Sequence, residues 1–106
     1  MTKMDYFKVG SIVKIKRHGK LYPTYIKMAK IMNLEKFEYG KFQRNATILR
    51  EERGKIISKQ FHHLNHSVMV YGIRLFNYDI DIIVGHNGVE LIAPPLFSLK
   101  NELFEI

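Results

Sequence analysis

The stretch Ser67–Ile92 decides the fold, and it reads SVMVYGIRLFNYDIDIIVGHNGVELI. It contains three runs of β-branched and aliphatic residues, which strands favour: Val68–Phe76, Asp79–Val84 and Val89–Ile92. Two turn signals separate the runs, Asn77-Tyr78-Asp79 and Gly85-His86-Asn87-Gly88. The second contains Asn-Gly, the strongest short signal for a β-hairpin. We therefore predict a meander of three antiparallel strands, with an apolar face that the rest of the chain must cover.

Upstream of this stretch, Ser11–Arg17 (SIVKIKR) has the period of a strand. Val13 and Ile15 point to one side, and Lys14 and Lys16 point to the other. We predict a first strand with a basic outer face.

The period then changes to that of a helix. Tyr25, Met28, Ala29 and Met32 recur at positions i, i+3, i+4 and i+7, which is one helical face. We predict a short helix over Tyr25–Leu34 that ends around Asn33. Two lysines, Lys27 and Lys30, fall on its outer face.

A long hairpin is predicted before the meander. Lys55–Phe61 is extended in character and should pair with Val68–Phe76 through the loop His62–His66. A brief strand is predicted at Ala46–Leu49. Because Val68–Phe76 is apolar on both faces, we expect a bulge or sharp bend at Gly72.

The prolines Pro94-Pro95 end the sheet, because proline cannot continue a ladder. In Leu96–Ile106 leucines recur at helical spacing, which favours a short C-terminal helix that caps the sheet. The alternative is a sticky tail for a partner or a second copy. We expect one domain over residues 1–106, with a core at about 7–92 and the capping helix or tail at 95–106.

Three segments share features with a known class of barrels. They are the glycine-preceded strand in Phe7–Ile15, the glycine-led strand Gly54–Ile57, and the closing strands from Val70–Leu75 to Val89–Leu91. Together they resemble the SH3-like barrel families, particularly the KOW and Tudor-like branch. The resemblance implies a mainly β fold with short helices: a small SH3-like barrel of about five antiparallel strands, a helix inserted after the first strand, and a short C-terminal helix. Small uncharacterised bacteriophage proteins are often similar to this.

Length and composition limit the possible functions. A chain of 106 residues suits one domain, and the absence of cysteine excludes disulfides and thiolate metal sites. No apolar run approaches the roughly 20 residues that span a bilayer, and the N-terminus lacks the apolar core of a secretory signal. We expect a cytoplasmic protein, in the host cytoplasm if it is phage-encoded.

The net charge of +7 and the pI near 9.7 suit a polyanionic partner such as nucleic acid. The basic character lies in the first two-thirds of the chain, and Phe37, Tyr39 and Phe42 are interleaved with Lys36, Lys41 and Arg44. Basic groups there could track phosphates while the aromatic rings stack on bases. The predicted nucleic-acid-binding residues are Lys14, Lys16, Arg17, Lys20, Lys27, Lys30, Lys41 and Arg44, with Tyr39 and Phe42 as stacking candidates. Alternatively, these aromatics are buried and the lysines coat a solvated face.

Other residues offer less chemistry. His62, His63 and His66 form a cluster in which metal binding competes with a solvated loop or a pH-sensitive positive patch. Asp79 and Asp81 share a strand face, which favours the wet face of an edge strand over a metal site. No nucleophile elbow, Walker loop or dinucleotide fingerprint occurs. We predict no catalytic residue, metal or cofactor.

The sequence therefore predicts a small non-enzymatic binding module that contacts DNA or RNA phosphates with low sequence specificity. The alternative is a phage-encoded interaction module or inhibitor that binds an acidic host protein, anchored by Leu96–Ile106 or Glu35–Asn45. The sequence leaves a monomer and a homodimer equally open.

Overall fold

A computed structural model of the chain describes residues 6–16, 24–37 and 49–95. Its elements are β1 (Ile12–Ile15), α1 (Thr24–Ile31), β2 (Arg53–Phe61), β3 (Met69–Leu75), β4 (Asp81–Gly85) and β5 (Val89–Ala93). The strands form one antiparallel sheet in the order β4-β3-β2-β1-β5. This confirms a mainly β fold of five antiparallel strands with a helix after the first. Within the described ranges no ladder joins β4 to β5, so the sheet is open.

The β2–β3 hairpin lies at the centre of the sheet, as predicted. Its register places Phe61 opposite Met69 at the end next to the loop of residues 62–68. The ladder is irregular near Gly72, but the extra residue is Ile57 on the opposite strand. The predicted bulge is therefore across from Gly72 and not in β3 itself.

The last strand is not the hairpin partner of β4. Instead β5 pairs with β1, where Val89 lies opposite Ile15. Asn87-Gly88 belong to a 3₁₀ turn, His86–Gly88, and the Gly88 carbonyl accepts the N–H of Lys16 at 2.8 Å. The predicted hairpin at this position is wrong, because Asn-Gly indicates a turn but not which strand the chain meets next. Here the turn takes the chain across to the unpaired edge of β1.

Both faces of the central strands are covered. On one face, residues from all five strands form the main core, which includes Val13, Ile15, Ile56, Tyr71, Ile73, Ile82, Val84 and Val89. On the other face, Val70 and Ile83 pack against Met28, Ala29 and Met32 of α1. The second contact explains why the sequence of β3 is apolar on both sides.

The helix α1 ends near Asn33, as predicted. Asn33 has a φ of 61°, in the left-handed region that asparagine tolerates. The Leu34 N–H donates to the Ala29 carbonyl at 2.9 Å, and the Asn33 N–H donates to the Lys30 carbonyl at 3.2 Å. These two bonds form a Schellman cap. The cap turns the chain so that Leu34 joins Ala29 in the core between α1 and the sheet.

The carboxylate of Asp81 is buried, so the prediction of a wet face for Asp79 and Asp81 is wrong for this residue. Asp81 is 0% exposed and accepts hydrogen bonds from Arg74 Nε at 2.8 Å and Arg74 Nη2 at 3.1 Å. It also accepts the backbone N–H of Lys36 at 3.1 Å. Asp79 is exposed and pairs with the Lys36 ammonium. The turn after α1 lies over the end of β4 and covers Asp81 alone.

Several predicted features lie outside the described residues. They are the turn at 17–20, the loop at 38–45, most of the brief strand at 46–49, and the helix or tail at 96–106. The end of the sheet is described, and β5 stops at Ala93, before Pro94-Pro95, as predicted. None of the helical residues in the described ranges builds a helix long and apolar enough to cross a membrane.

Candidate nucleic-acid interface

Charge is unevenly distributed along the β2–β3 hairpin. All six acidic residues of the described ranges lie near the end where β2 begins and β3 stops: Glu35, Glu51, Glu52, Asp79, Asp81 and Glu90. Three basic residues at this end pair with them: Lys14 with Glu51, Lys36 with Asp79 and Arg74 with Asp81. This end of the hairpin therefore has mixed charge.

The opposite end of the hairpin carries no acidic residue among those described. There, an open pocket of about 560 Å³ lies between β2 and the 62–68 loop, lined by Lys59, Gln60, Phe61, His63, His66 and Met69. Lys27 of α1 is close enough to His63 to act on its ionisation. We call the set Lys27, Lys59, Phe61, His63 and His66 the hairpin-tip surface. It joins α1 to the loop in one basic region.

The pKa of His63 indicates that this surface is positively charged. Burial lowers the pKa of His63, and the neighbouring His62, Lys27 and His66 lower it further because they are basic groups. The His62 and His63 rings stack with centroids 4.9 Å apart. His63 Nδ1 is enclosed and has no hydrogen-bond partner among the described residues. A region of this kind favours an anion as its ligand.

An aromatic side chain is exposed beside these cations. Phe61 is 42% exposed and lies two residues from Lys59 on the same face of β2. Its ring meets Tyr6 edge to face at 5.6 Å, and Tyr6 meets His86 at 5.3 Å. Phe61 is therefore held by a packed neighbour while part of its ring remains open for stacking.

A hydrogen-bond network beneath this surface holds the N-terminal segment on the sheet. The buried Tyr71 hydroxyl accepts the Phe7 N–H at 3.0 Å and lies 2.7 Å from His86 Nδ1. A neutral His86 that is unprotonated at Nδ1 can accept the Tyr71 O–H, so both polar groups are satisfied. Burial raises the pKa of Tyr71 and lowers that of His86, so both neutral forms are favoured.

This network predicts acid sensitivity of the fold. Because the pKa of His86 is lowered by burial from 6.5, the unfolded chain binds a proton first as the pH falls. The contribution is fully present above pH 6.5 and is lost as the pH falls towards the lower folded pKa. We expect the Tm to decrease between pH 7.5 and pH 5. The variant His86→Asn keeps an acceptor near Tyr71 but cannot titrate, so its Tm should fall less. An equal decrease in the variant would contradict this role.

The structure describes four of the ten residues predicted to bind nucleic acid. Lys27 and Lys30 are exposed on the outer face of α1, as predicted, and Lys16 is exposed after β1. Lys14 lies on β1 at the mixed-charge end, so the structure does not bring it together with Lys27. The other six lie outside the described residues: Arg17, Lys20, Tyr39, Lys41, Phe42 and Arg44.

Lys14 is already matched by acidic neighbours. Its ammonium lies 3.2 Å from a Glu51 carboxylate oxygen and 3.5 Å from one of Glu90. The hydrogen bond and charge of Glu51, with the charge of Glu90, raise the pKa of Lys14. Lys14 therefore stays protonated, but it adds no net positive charge to this part of the surface.

The predicted binding set left out four members of the hairpin-tip surface, namely Lys59, Phe61, His63 and His66. Lys59 and Phe61 share one face of β2, a strand that was predicted. The register of the predicted hairpin would have placed both beside the histidine loop. No pattern in the sequence indicates that Lys27 lies near His63. It depends on where α1 packs on the sheet.

Comparison of the chain with protein-family models, curated proteins and solved structures gave no match. In the described ranges, no three histidine, aspartate or glutamate side chains group closely enough to hold a metal ion.

Proposed function

We propose that this protein is a non-enzymatic module that binds nucleic acid through the phosphate backbone, with the hairpin-tip surface as its centre. The observation that supports the proposal is the segregation of charge. All six described acidic residues lie near one end of the central hairpin, while the other end combines two lysines with three loop histidines. Among the described residues, no carboxylate at this end of the hairpin opposes the approach of a polyanion.

The chemistry of the surface suits a flexible or single strand. Lys59 and Lys27 provide point charges for two phosphates, while the exposed face of Phe61 offers a stacking platform for a base. Stacking and phosphate contacts do not distinguish one base from another. Binding should therefore have low sequence specificity and a strong dependence on salt.

The fold proposal is a small SH3-like barrel. The order β4-β3-β2-β1-β5, with a 3₁₀ turn between the last two strands, supports it because β5 returns to the edge of β1. The bulge at Ile57 supports it too, since bulges let a strand bend around a barrel corner. A phage origin and a cytoplasmic location belong to the same proposal.

The test compares two double charge reversals of equal size. Lys27→Glu/Lys59→Glu changes the hairpin-tip surface, and Lys16→Glu/Lys55→Glu changes exposed lysines near the other end. Fluorescence anisotropy with labelled single- and double-stranded DNA and RNA is measured across a salt series. The slope of log K against log salt should flatten in the first variant by about 0.7–0.9 for each lost phosphate contact.

The control variant should keep a slope closer to that of the wild type, since its lysines lie outside the hairpin-tip surface. Equal losses in the two variants would mean that net charge, not this surface, determines binding. Absence of binding at low salt would exclude the nucleic-acid function.

The second candidate is an interaction module for an acidic protein. An open groove of about 370 Å³ on α1 favours it, because Ile26, Leu34 and Phe37 line the groove beside Lys30. Ile26 is 41% exposed, so an apolar anchor could meet it while carboxylates pair with Lys30. This candidate would remain if the salt series showed no nucleic-acid binding.

A further inference from the structure

We propose that the pocket at the hairpin tip is a phosphate subsite in which His63 takes up a proton when the phosphate binds. The inference rests on the proposed function, because the phosphate would belong to a nucleic-acid backbone. It adds a regulatory property that the proposed function does not require, namely an affinity that increases as the pH falls.

The geometry of the pocket supports an oxyanion. Residues that can donate hydrogen bonds line both walls: Lys59 and Gln60 from β2, and His63 and His66 from the loop. The Lys59 ammonium donates to the Phe7 carbonyl at 3.3 Å, and its other two N–H groups can serve an anion. Its volume of about 560 Å³ exceeds that of a phosphate group, so the adjoining sugar can enter as well. Phe61 and Met69 provide the apolar part of the lining on which that sugar or base can rest.

Every ionisable group that faces His63 in the described structure is basic. Lys27 faces it from α1, Lys59 shares the pocket from β2, and His62 and His66 face it from the loop itself. Burial lowers the pKa of His63, and the charges of His62, Lys27 and His66 lower it further. In the unbound protein the imidazole is therefore held neutral at a pH where an isolated histidine would begin to charge.

A bound phosphate reverses this balance. Its negative charge offsets the lysines and gives a protonated imidazole an anionic acceptor. Between the pKa of His63 in the free protein and the higher pKa in the complex, binding takes up a proton. By linkage, affinity then rises as the pH falls, by at most about tenfold per pH unit for one proton. The lysines stay charged throughout, so they supply affinity without pH dependence.

The test measures the Kd of a labelled ten-nucleotide oligothymidylate from pH 7.5 to pH 5.5 at constant ionic strength. Phosphodiesters do not titrate in this range, so a slope reports the protein. We expect the wild type to bind tighter at lower pH and His63→Gln to lose that dependence. Lys59→Gln should bind more weakly at every pH and keep the slope. Thermal melts at each pH confirm that every variant is folded.

Sodium sulfate, a tetrahedral anion that does not titrate here, separates the two proposals. NMR titration of the histidine rings should show the pKa of His63 rising when sulfate is added. If the oligonucleotide binds with a pH-independent Kd, the inference is overturned and the proposed function stands. If sulfate raises the pKa of His63 but no oligonucleotide binds, the oxyanion subsite stands and the nucleic-acid function fails. If neither ligand binds, both fail.

Discussion

The substitution Asp81→Ala is expected to lower the free energy of unfolding by about 3 kcal/mol, the low end of the range for breaking a buried ion pair. The Asp81 carboxylate is 0% exposed and accepts three hydrogen bonds, two from Arg74 and one from the Lys36 backbone. Its removal leaves the guanidinium without its partner. Because the Arg74 side chain is 42% exposed, water can hydrate part of it, which keeps the cost at the low end.

The control lies two residues away. Asp79 also forms an ion pair, with Lys36, but its side chain is 83% exposed. Water screens a pair of this kind, so it contributes little and Asp79→Ala should unfold almost as the wild type does. Both variants are compared by urea denaturation at pH 7. Similar losses for Asp79→Ala and Asp81→Ala would mean that burial does not determine the contribution of the carboxylate.

Asp81→Ala should loosen the turn after α1 more than it loosens the rest of the sheet. Asp81 joins the turn after α1 to β4, since its own N–H donates to the Lys36 carbonyl at 3.0 Å and Phe37 bridges to it. Without the carboxylate, the Lys36 N–H loses its acceptor. Amide exchange at Lys36 should therefore accelerate more than exchange in the centre of β3. Since this turn carries α1, Asp81 also helps to position Lys27.

Local periodicity predicted the strands and the helix in which only one face is buried. The alternation of Val13 and Ile15 located β1, and the spacing of Met28 and Met32 located the buried face of α1. Periodicity failed where a second element covers a face. The sequence shows that Asp81 points to one side of β4, but only the packing of α1 shows that this side is covered.

The candidate site was less predictable, because it depends on contacts between distant parts of the chain. The lysines on β1 look basic, yet Lys14 meets Glu51 from the turn before β2 and Glu90 from β5. The loop histidines looked like a solvated turn, yet α1 brings Lys27 to them. In both cases the sequence shows which residues are charged. Only the fold shows which of them meet, and therefore what the net charge of each part of the surface is.

The substitution Gly72→Ala is expected to lower the free energy of unfolding by about 1–3 kcal/mol, the usual effect of overpacking a core. A Cβ at this position would lie 2.5 Å from Leu34 Cδ2 and 3.0 Å from Leu34 Cδ1. Leu34 is buried, and the Schellman cap fixes the backbone that carries it, so its side chain has little room to withdraw. The matched control is Gly85→Ala, where the nearest atom is 4.0 Å away and φ is −69°. That variant should stay within about 1 kcal/mol of the wild type and is expected to be slightly more stable.

A double-mutant cycle with Leu34→Ala tests the contact itself. Leu34→Ala alone should cost about 2–5 kcal/mol, because it removes a buried side chain from the contact between α1 and β3. In the double variant the new methyl of Gly72→Ala enters the space that Leu34 leaves. The double variant should therefore lose less unfolding free energy than the two single variants lose together, by about 0.5–3 kcal/mol. Strictly additive costs in urea denaturation would contradict the steric explanation. Glycine would then be required at position 72 by the irregular ladder opposite Ile57, and not by the approach of the helix to the sheet.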